Sequence, residues 1–295
     1  MKIGFIGFGE AAYLISKGLI AEGLDEVCAF DVNANHPEHG LLIRQRAQEL
    51  SVKLLPGLDT LCREANLIVC ATSAKYARSI AEETSAYLTR NHVYVDMNAT
   101  SPMAKEEIAA VLKTKEISSV DAAVMDAVPK HGHKVPMLLS GSGVSQFEAF
   151  GAPYGMNMTS VGTMPGRASA IKMARSIFMK GITMLFFETF ALAREYDAVD
   201  IVMSSLSETM TASDLEETVN LLMTRTVNHA ERRVAEMGEV QKTLQSLGLD
   251  TVMSEGTQAK LKHIADSDLQ EFFHCQTPAD FREVLAAMRQ DEKGM

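Results

Sequence analysis

The sequence predicts a doubly wound α/β domain over residues 1–164, followed by an all-α domain over residues 165–295. Two observations predict the first part. Short β-rich runs alternate with helical stretches through about residue 160, and each run is long enough for a strand but too short for a helix. One observation predicts the second: from Ala168 to about Arg289 the apolar residues recur at helical spacing with few β-branched clusters. Pro165 and Gly166 stand where the texture changes, so the boundary is set there.

In order, "KIGFI", "EVCAF", "VKLL", "NLIVC", "HVYVD" and "ISSVD" are the expected strands. Strands that alternate with helices imply right-handed crossovers and a largely parallel sheet. "VPMLLSG" and "GMNMTSVG" are two further short strands extending one edge, with a helical "SQFEAF" between them. A long helix is expected from about Ala168 to Tyr196, with later breaks near Asp197, Thr211, Gly248, Ser267 and Pro278. The apolar stretch Gly181 to Ala193 is too short for a membrane span and contains Glu188, which predicts a core helix.

A chain of 295 residues with 46% hydrophobic content is long enough to bury a sizeable core, and its length fits two domains. The net charge of −10 argues against nucleic acid as a partner, because such binders concentrate Lys and Arg. Cys28, Cys62, Cys70 and Cys275 are scattered without metal-ligand spacing, so reduced thiols, no metal and a cytoplasmic setting are expected. His131 and His133 flank Gly132 with no third ligand evident, and a mobile loop is expected there.

The opening stretch "GFIGFGEAA" carries Gly7 and Gly9 of a G-x-G-x-x-G turn, with Ala12 in the third place. A tight strand-to-helix turn needs Gly7, and close approach of backbone to a pyrophosphate needs Gly9. Backbone groups of Phe8, Glu10 and Ala11, at the start of the helix, supply N–H donors and a positive dipole end. Asp31 ends the second strand at the distance where an acid meets the adenosine ribose. Together these predict a Rossmann-type dinucleotide domain. NAD is the expected cofactor because Asp31 repels a 2′-phosphate; NADP is the alternative, should Arg44 or Arg46 fold back from the next helix. Thr72 and Ser73, after the fourth strand, and Asn98, after the fifth, fall on loops that face a ligand in such a sheet. Ser101 before Pro102 is the expected cap of the next helix.

The succession "GFIGFGEAA", "VDMNATSP", "SVDAAVMDAVPKHGHKVPMLLSG" and "GRASAIKMARSIF" resembles the β-hydroxyacid dehydrogenases, the group of 3-hydroxyisobutyrate and 6-phosphogluconate dehydrogenases. The resemblance covers nearly the whole chain, most strongly its first 180 residues. It implies a nicotinamide-dependent enzyme that interconverts an alcohol and a carbonyl on a small β-hydroxyacid-like substrate. It also implies that Lys172 is the catalytic general acid/base and that the protein is a homo-oligomer, a dimer. The chain departs from the family's pattern. Arg175 and Ser176 stand where relatives place an Asn, and Met125-Asp126-Ala127 stands where they carry a carboxylate-gripping Ser-Gly-Gly. Asp126 repels a carboxylate unless Lys130 or Lys134 pairs with it or it turns away as a loop cap. Met125, Asp126 and Ser176 are nevertheless the expected substrate contacts, joined by His229 and Arg233 of the second domain. For these last two, a solvated helix face with an Arg–Glu pair is the competing expectation. Imine reductases share this architecture, so reduction of a C=N bond is an alternative reaction. A dinucleotide-binding protein without turnover is a third reading.

Overall fold

The computed structural model describes residues 1–294, with side chains described through Arg289. The chain forms two compact units, Met1–Ile177 and Phe178–Met295.

The first unit begins with β1 (Ile3–Ile6), α1 (Glu10–Ala21), β2 (Val27–Phe30), α2 (His39–Glu49), β3 (Lys53–Leu54), α3 (Leu58–Glu64) and β4 (Leu67–Cys70). It continues with α4 (Ala77–Thr84), β5 (Val93–Asp96), α5 (Pro102–Lys113), β6 (Ser118–Val124), α6 (Val128–His131), β7 (Met137–Ser140), α7 (Val144–Gly151) and β8 (Met158–Ser160). One eight-stranded sheet runs in the order β3-β2-β1-β4-β5-β6-β7-β8. Strands β1 to β6 are parallel, as expected of helical crossovers. Strand β7 is antiparallel to β6, with Val124 opposite Met137. Its connection holds only the single turn of α6 and a 3-10 turn, too little helix to carry the chain back to the far end of the sheet. Strand β8 adds to that edge.

Both faces of the sheet are covered, so the strands are apolar on both sides. Phe5, Val69 and Val95 point to one face, under Ile15 and Leu19 of α1, Ile43 of α2 and Phe147 of α7. Ile6, Ile68 and Tyr94 point to the other, under Leu61 of α3, Ala81 of α4 and Leu112 of α5. This period of two fixes the register of each strand. Between β1 and β4 the strand order reverses, the switch point at which doubly wound sheets take ligands beyond the carboxyl ends of their strands.

The helix α8 (Arg167–Glu195) crosses from the first unit into the second. Its start is tied to the sheet by a buried polar network. Lys105 of α5 lies with its ammonium 2.9 Å from the Asp96 carboxylate and 3.4 Å from that of Asp121, all three side chains 2% exposed. Asp121 accepts hydrogen bonds from the Ser169 N–H (2.9 Å) and hydroxyl (2.7 Å), and the Ala168 N–H donates to Ser140 (3.1 Å). The preceding turn needs Gly166: its φ is +80°, and a Cβ there would stand 2.7 Å from the Pro102 carbonyl oxygen.

The second unit is helical: the rest of α8, then α9 (Val199–Thr211), α10 (Leu215–Ser246), α11 (Val252–Ala265), α12 (Leu269–Phe272) and α13 (Phe281–Gly294). Its small core gathers Val227, Leu269, Val284 and Ala287. Glu188 accepts the Met253 and Ser254 N–H groups at 2.8 Å each, closing the N-terminus of α11. The expectation that Gly181 to Ala193 is a core helix is corrected. By length and composition α8 also passes for a membrane span, yet only 6% of its most apolar window is buried within the chain. Phe178, Met179, Phe186 and Phe187 are exposed.

Replacing Lys105 by Met should leave two buried carboxylates without their cation. A loss of about 3–5 kcal/mol is expected from breaking a buried ion pair on one side only, measured as a lowered urea midpoint of the first unit.

Candidate functional site

The turn after β1 is built by two glycines with different duties. Gly7 has φ +85°, and a Cβ on it would lie 2.7 Å from the Ala71 carbonyl oxygen and from Thr72 Cγ2. The fold itself therefore requires Gly7. Gly9 has φ −75° and ψ −163°, open to any residue, and a Cβ on it would meet nothing within 4 Å. Internal packing gives no reason for glycine there. What it leaves is bare space over the first turn of α1, whose N-cap is Gly9 itself and carries no side-chain cap. A helix N-terminus with uncapped N–H groups and no Cβ in front of it fits the pyrophosphate of a dinucleotide. Ala12, in the third place of the fingerprint, is fully buried against the sheet.

Loops at the carboxyl ends of β2, β4 and β5 surround this turn. Asp31 accepts from the Phe8 N–H (2.8 Å) and the Asn33 N–H (2.9 Å), so the acid that would meet a ribose also braces the glycine turn. Arg44 does fold back: its Nη1 donates to the Ala34 carbonyl at 2.5 Å and lies 3.5 Å from that of His36. Arg46 instead lies over the Tyr13 ring. Asn98 is buried and fully engaged: its Oδ1 accepts the Thr72 N–H (2.8 Å), and its Nδ2 donates to Asp96 (2.6 Å). Any part it plays in cofactor binding is therefore through Thr72, which is half-buried beside the exposed Ser73. Ser73 occupies an N-cap position without a side-chain bond. Ser101 caps α5 by accepting the Ala104 N–H at 3.2 Å.

Beyond β6, Met125-Asp126-Ala127 leads into α6. Asp126 accepts from the Ala127 N–H (2.8 Å), the His131 ring (2.8 Å) and Lys130 (3.3 Å). The His131 hydrogen bond, then that of Ala127, then Lys130 hold its carboxyl far below the usual carboxylate range. Lys134 pairs with Glu22 at 2.7 Å instead. The mobile loop expected at His131 and His133 is a packed helical turn. His133 is buried with its Nε2 3.0 Å from the Tyr154 carbonyl, and Gly132 lies against the Leu14 carbonyl of α1.

Along α8, Ser169 is anchored to Asp121, and Arg175 donates to the Met125 carbonyl at 3.2 Å. Lys172 lies one turn from each anchor, half-buried, on the helix that follows β6 toward its carboxyl end. Ser176 is half-buried on the next turn. His229 and Arg233 belong to the second unit. His229 is exposed, and Arg233 donates to Thr226 at 2.5 Å, while the Arg–Glu pair of this stripe is Arg232 with Glu236.

Two groups of interest escaped the sequence. Lys105, in "PMAKEEIAAVLK", has the look of a surface lysine, yet it is buried between two acids. His131 pairs with Asp126 across a spacing of five, outside the i, i+3 and i, i+4 spacings that a helix signals.

Fold and turn define a doubly wound protein of the dinucleotide-binding class. A family model described as NADP oxidoreductase, coenzyme F420-dependent, matches residues 2–100, and one for a domain of unknown function, DUF1932, matches residues 193–264. A conserved hypothetical protein from Sinorhizobium meliloti is 31% identical, over 89% of this chain and 87% of that one, with a TM-score of 0.64. A conserved protein described as structurally similar to 3-hydroxyacid dehydrogenases is 28% identical over 90% and 97%, with a TM-score of 0.63. An imine reductase from Myxococcus stipitatus, in complex with NADP+, shares the fold at 14% identity over 90% and 94%, with a TM-score of 0.72. The chain belongs to one family with the Sinorhizobium meliloti protein.

The two glycines should respond differently to alanine. Gly7→Ala is expected to cost about 1–3 kcal/mol of stability through its strained φ and the clash with Ala71, whereas Gly9→Ala should leave the thermal midpoint within about a degree of the parent's. Equal destabilisation in differential scanning fluorimetry would contradict this division.

Proposed function

We propose that the protein is a nicotinamide dinucleotide-dependent oxidoreductase that interconverts an alcohol and a carbonyl on a small, polar, β-hydroxyacid-like substrate. The observation that carries this reading is the empty space before α1 at Gly9, which the chain's own packing does not require. Backbone N–H groups of Glu10 and Ala11 would hold the pyrophosphate, with Gly7, Phe8, Thr72 and Ser73 around it and Asp31 toward the ribose. NADP+ bound to the Myxococcus stipitatus structure supports a dinucleotide here. NAD is preferred on the strength of Asp31, and Arg44 of α2, bonded to the loop after Asp31 at the Ala34 carbonyl, gives NADP a cation.

When bound, the nicotinamide supplies the means to accept or give hydride. The chain's own residues handle the proton and the orientation. Lys172 would exchange the proton of the substrate oxygen, held at its depth by the Ser169 and Arg175 anchors on either side. Met125, Asp126 and Ser176 would line the substrate's place, and residues 165–295 would form the substrate and oligomerisation domain. The likeness in fold to imine reductases favours a second reading, reduction of a C=N bond by the same residues.

Lys172→Met should keep dinucleotide affinity within about twofold and lower kcat by at least 10²-fold, across a panel of hydroxyacids, aldehydes, ketones and imines followed at the reduced-nicotinamide absorbance. Turnover of imines alone would select the second reading. Absence of NADH and NADPH binding would end both.

A homodimer is also proposed, because the second unit exposes Phe187 (70%) and Ile201 (72%), and Phe187 lines an apolar groove of about 470 Å³ with Phe186, Phe190 and Ala191. Light scattering should give twice the 32.2 kDa chain mass, and Phe187→Asp with Ile201→Asp should shift it toward the monomer.

A further inference from the structure

Asp126 pairs with His131 at the carboxyl end of β6, and His131 has no part in the chemistry proposed above. A carboxylate held ionised can only accept, so the 2.8 Å contact requires His131 Nε2 to carry the hydrogen. In the neutral imidazole Nδ1 is then a bare acceptor, and no described residue donates to it. The ring is 28% exposed, enough for a ligand to reach it. Other charged groups of this turn are directed elsewhere: His133 to the Tyr154 carbonyl, Lys134 to Glu22, and Arg175 to the Met125 carbonyl. Lys130 alone shares Asp126 with His131.

The dyad also stands in the right neighbourhood. Helix α6 packs against α1, with Gly132 next to the Leu14 carbonyl, about 7.5 Å along the helix axis from the turn at Gly9. Met125, adjacent to Asp126, is where Arg175 meets the loop, one turn from Lys172. A clasp that only closed a four-residue helix would not need an imidazole with an open acceptor at this end of the sheet.

We propose that His131, oriented by Asp126, is a second substrate-binding group: its Nδ1 accepts a hydrogen bond from a hydroxyl or ammonium on the substrate, additional to the group that exchanges hydride. His131 contacts the ligand, and Asp126 is a positioning residue. The inference rests on the oxidoreductase reading above. It deepens that reading by naming the substrate class, small acids with a second hydrogen-bond donor beside the reacting carbon.

Three acids that differ at one carbon test it on NADH- or NADPH-loaded protein: 3-hydroxypropionate, glycerate with an added hydroxyl, and serine with an added ammonium. Glycerate or serine should bind about tenfold more tightly than 3-hydroxypropionate, the worth of one hydrogen bond, and whichever wins identifies the donor. Its binding should move the His131 side-chain ¹⁵N resonances. His131→Phe and Asp126→Asn should abolish the preference with dinucleotide affinity unchanged, while His131→Asn, which keeps an acceptor, should retain part of it. In the unliganded protein the ¹⁵N shifts of His131 should report the Nε2–H tautomer, and Asp126→Asn should mix the two tautomers. Equal affinity for the three acids, no binding of any of them, or a preference that survives His131→Phe would overturn the proposal while leaving the oxidoreductase reading in place. Failure of the loaded state to form would remove that reading first, and this one with it.

Discussion

The first unit is organised around a lysine held between two carboxylates almost out of water. Lys105 faces Asp96 and Asp121, and each of the three side chains is 2% exposed. Burying charge is expensive, and such a group is a poor source of net stability. The geometry shows how its cost is limited. One cation and two anions leave a negative excess, and Asp121 spends it on the Ser169 N–H and hydroxyl in the first turn of α8. That is the positive end of a long helix, the place where a carboxylate is most welcome. The network therefore acts as a locating pin: it decides where α8 starts relative to β6, and with it the height of every residue further along the helix.

From that pin the site follows by geometry. Ser169 is held at the level of Asp121 and Arg175 at the level of Met125, so the helix is fastened at two points along β6 and past its end. Lys172 lies between them and has little freedom to slide. Asp96 joins the same network to the loops: its carboxylate holds Asn98, and Asn98 holds the Thr72 backbone. One polar chain thus runs from the start of α8 through β6 and β5 to the loop after β4, which Gly7 abuts.

Features that depend on neighbours in sequence were legible in it. The glycine turn, Asp31 at the end of β2, the alternation of strands and helices and the cap at Ser101 are set by local spacing, and spacing survives into the fold. Features that depend on a meeting of distant chains were not. Nothing in "PMAKEEIAAVLK" tells whether Lys105 or a neighbouring charge turns inward, since that is decided by acids on β5 and β6. Asp126 was legible as a residue hostile to a carboxylate, but its pairing with His131 depends on a short helix whose existence periodicity could not establish over so few residues. Helix α8 was legible as apolar; its lack of cover among the described residues was not, because composition measures what a face is made of and not what lies against it.

The acids at the site explain how a chain of net charge −10 can offer a place to an anionic ligand. Screening confines the overall charge to about 8 Å at physiological salt, so the local arrangement decides. Asp31 is spent on two backbone N–H groups, and Asp126 on one N–H, one imidazole and one ammonium. Each acid is turned to its own loop and hydrogen-bonded there, which lowers the field it presents to a ligand. The uncapped start of α1 then offers the positive end of a helix at the carboxyl ends of the strands. The acids there brace the loops, and in doing so they make room for a negative charge that their number alone would forbid.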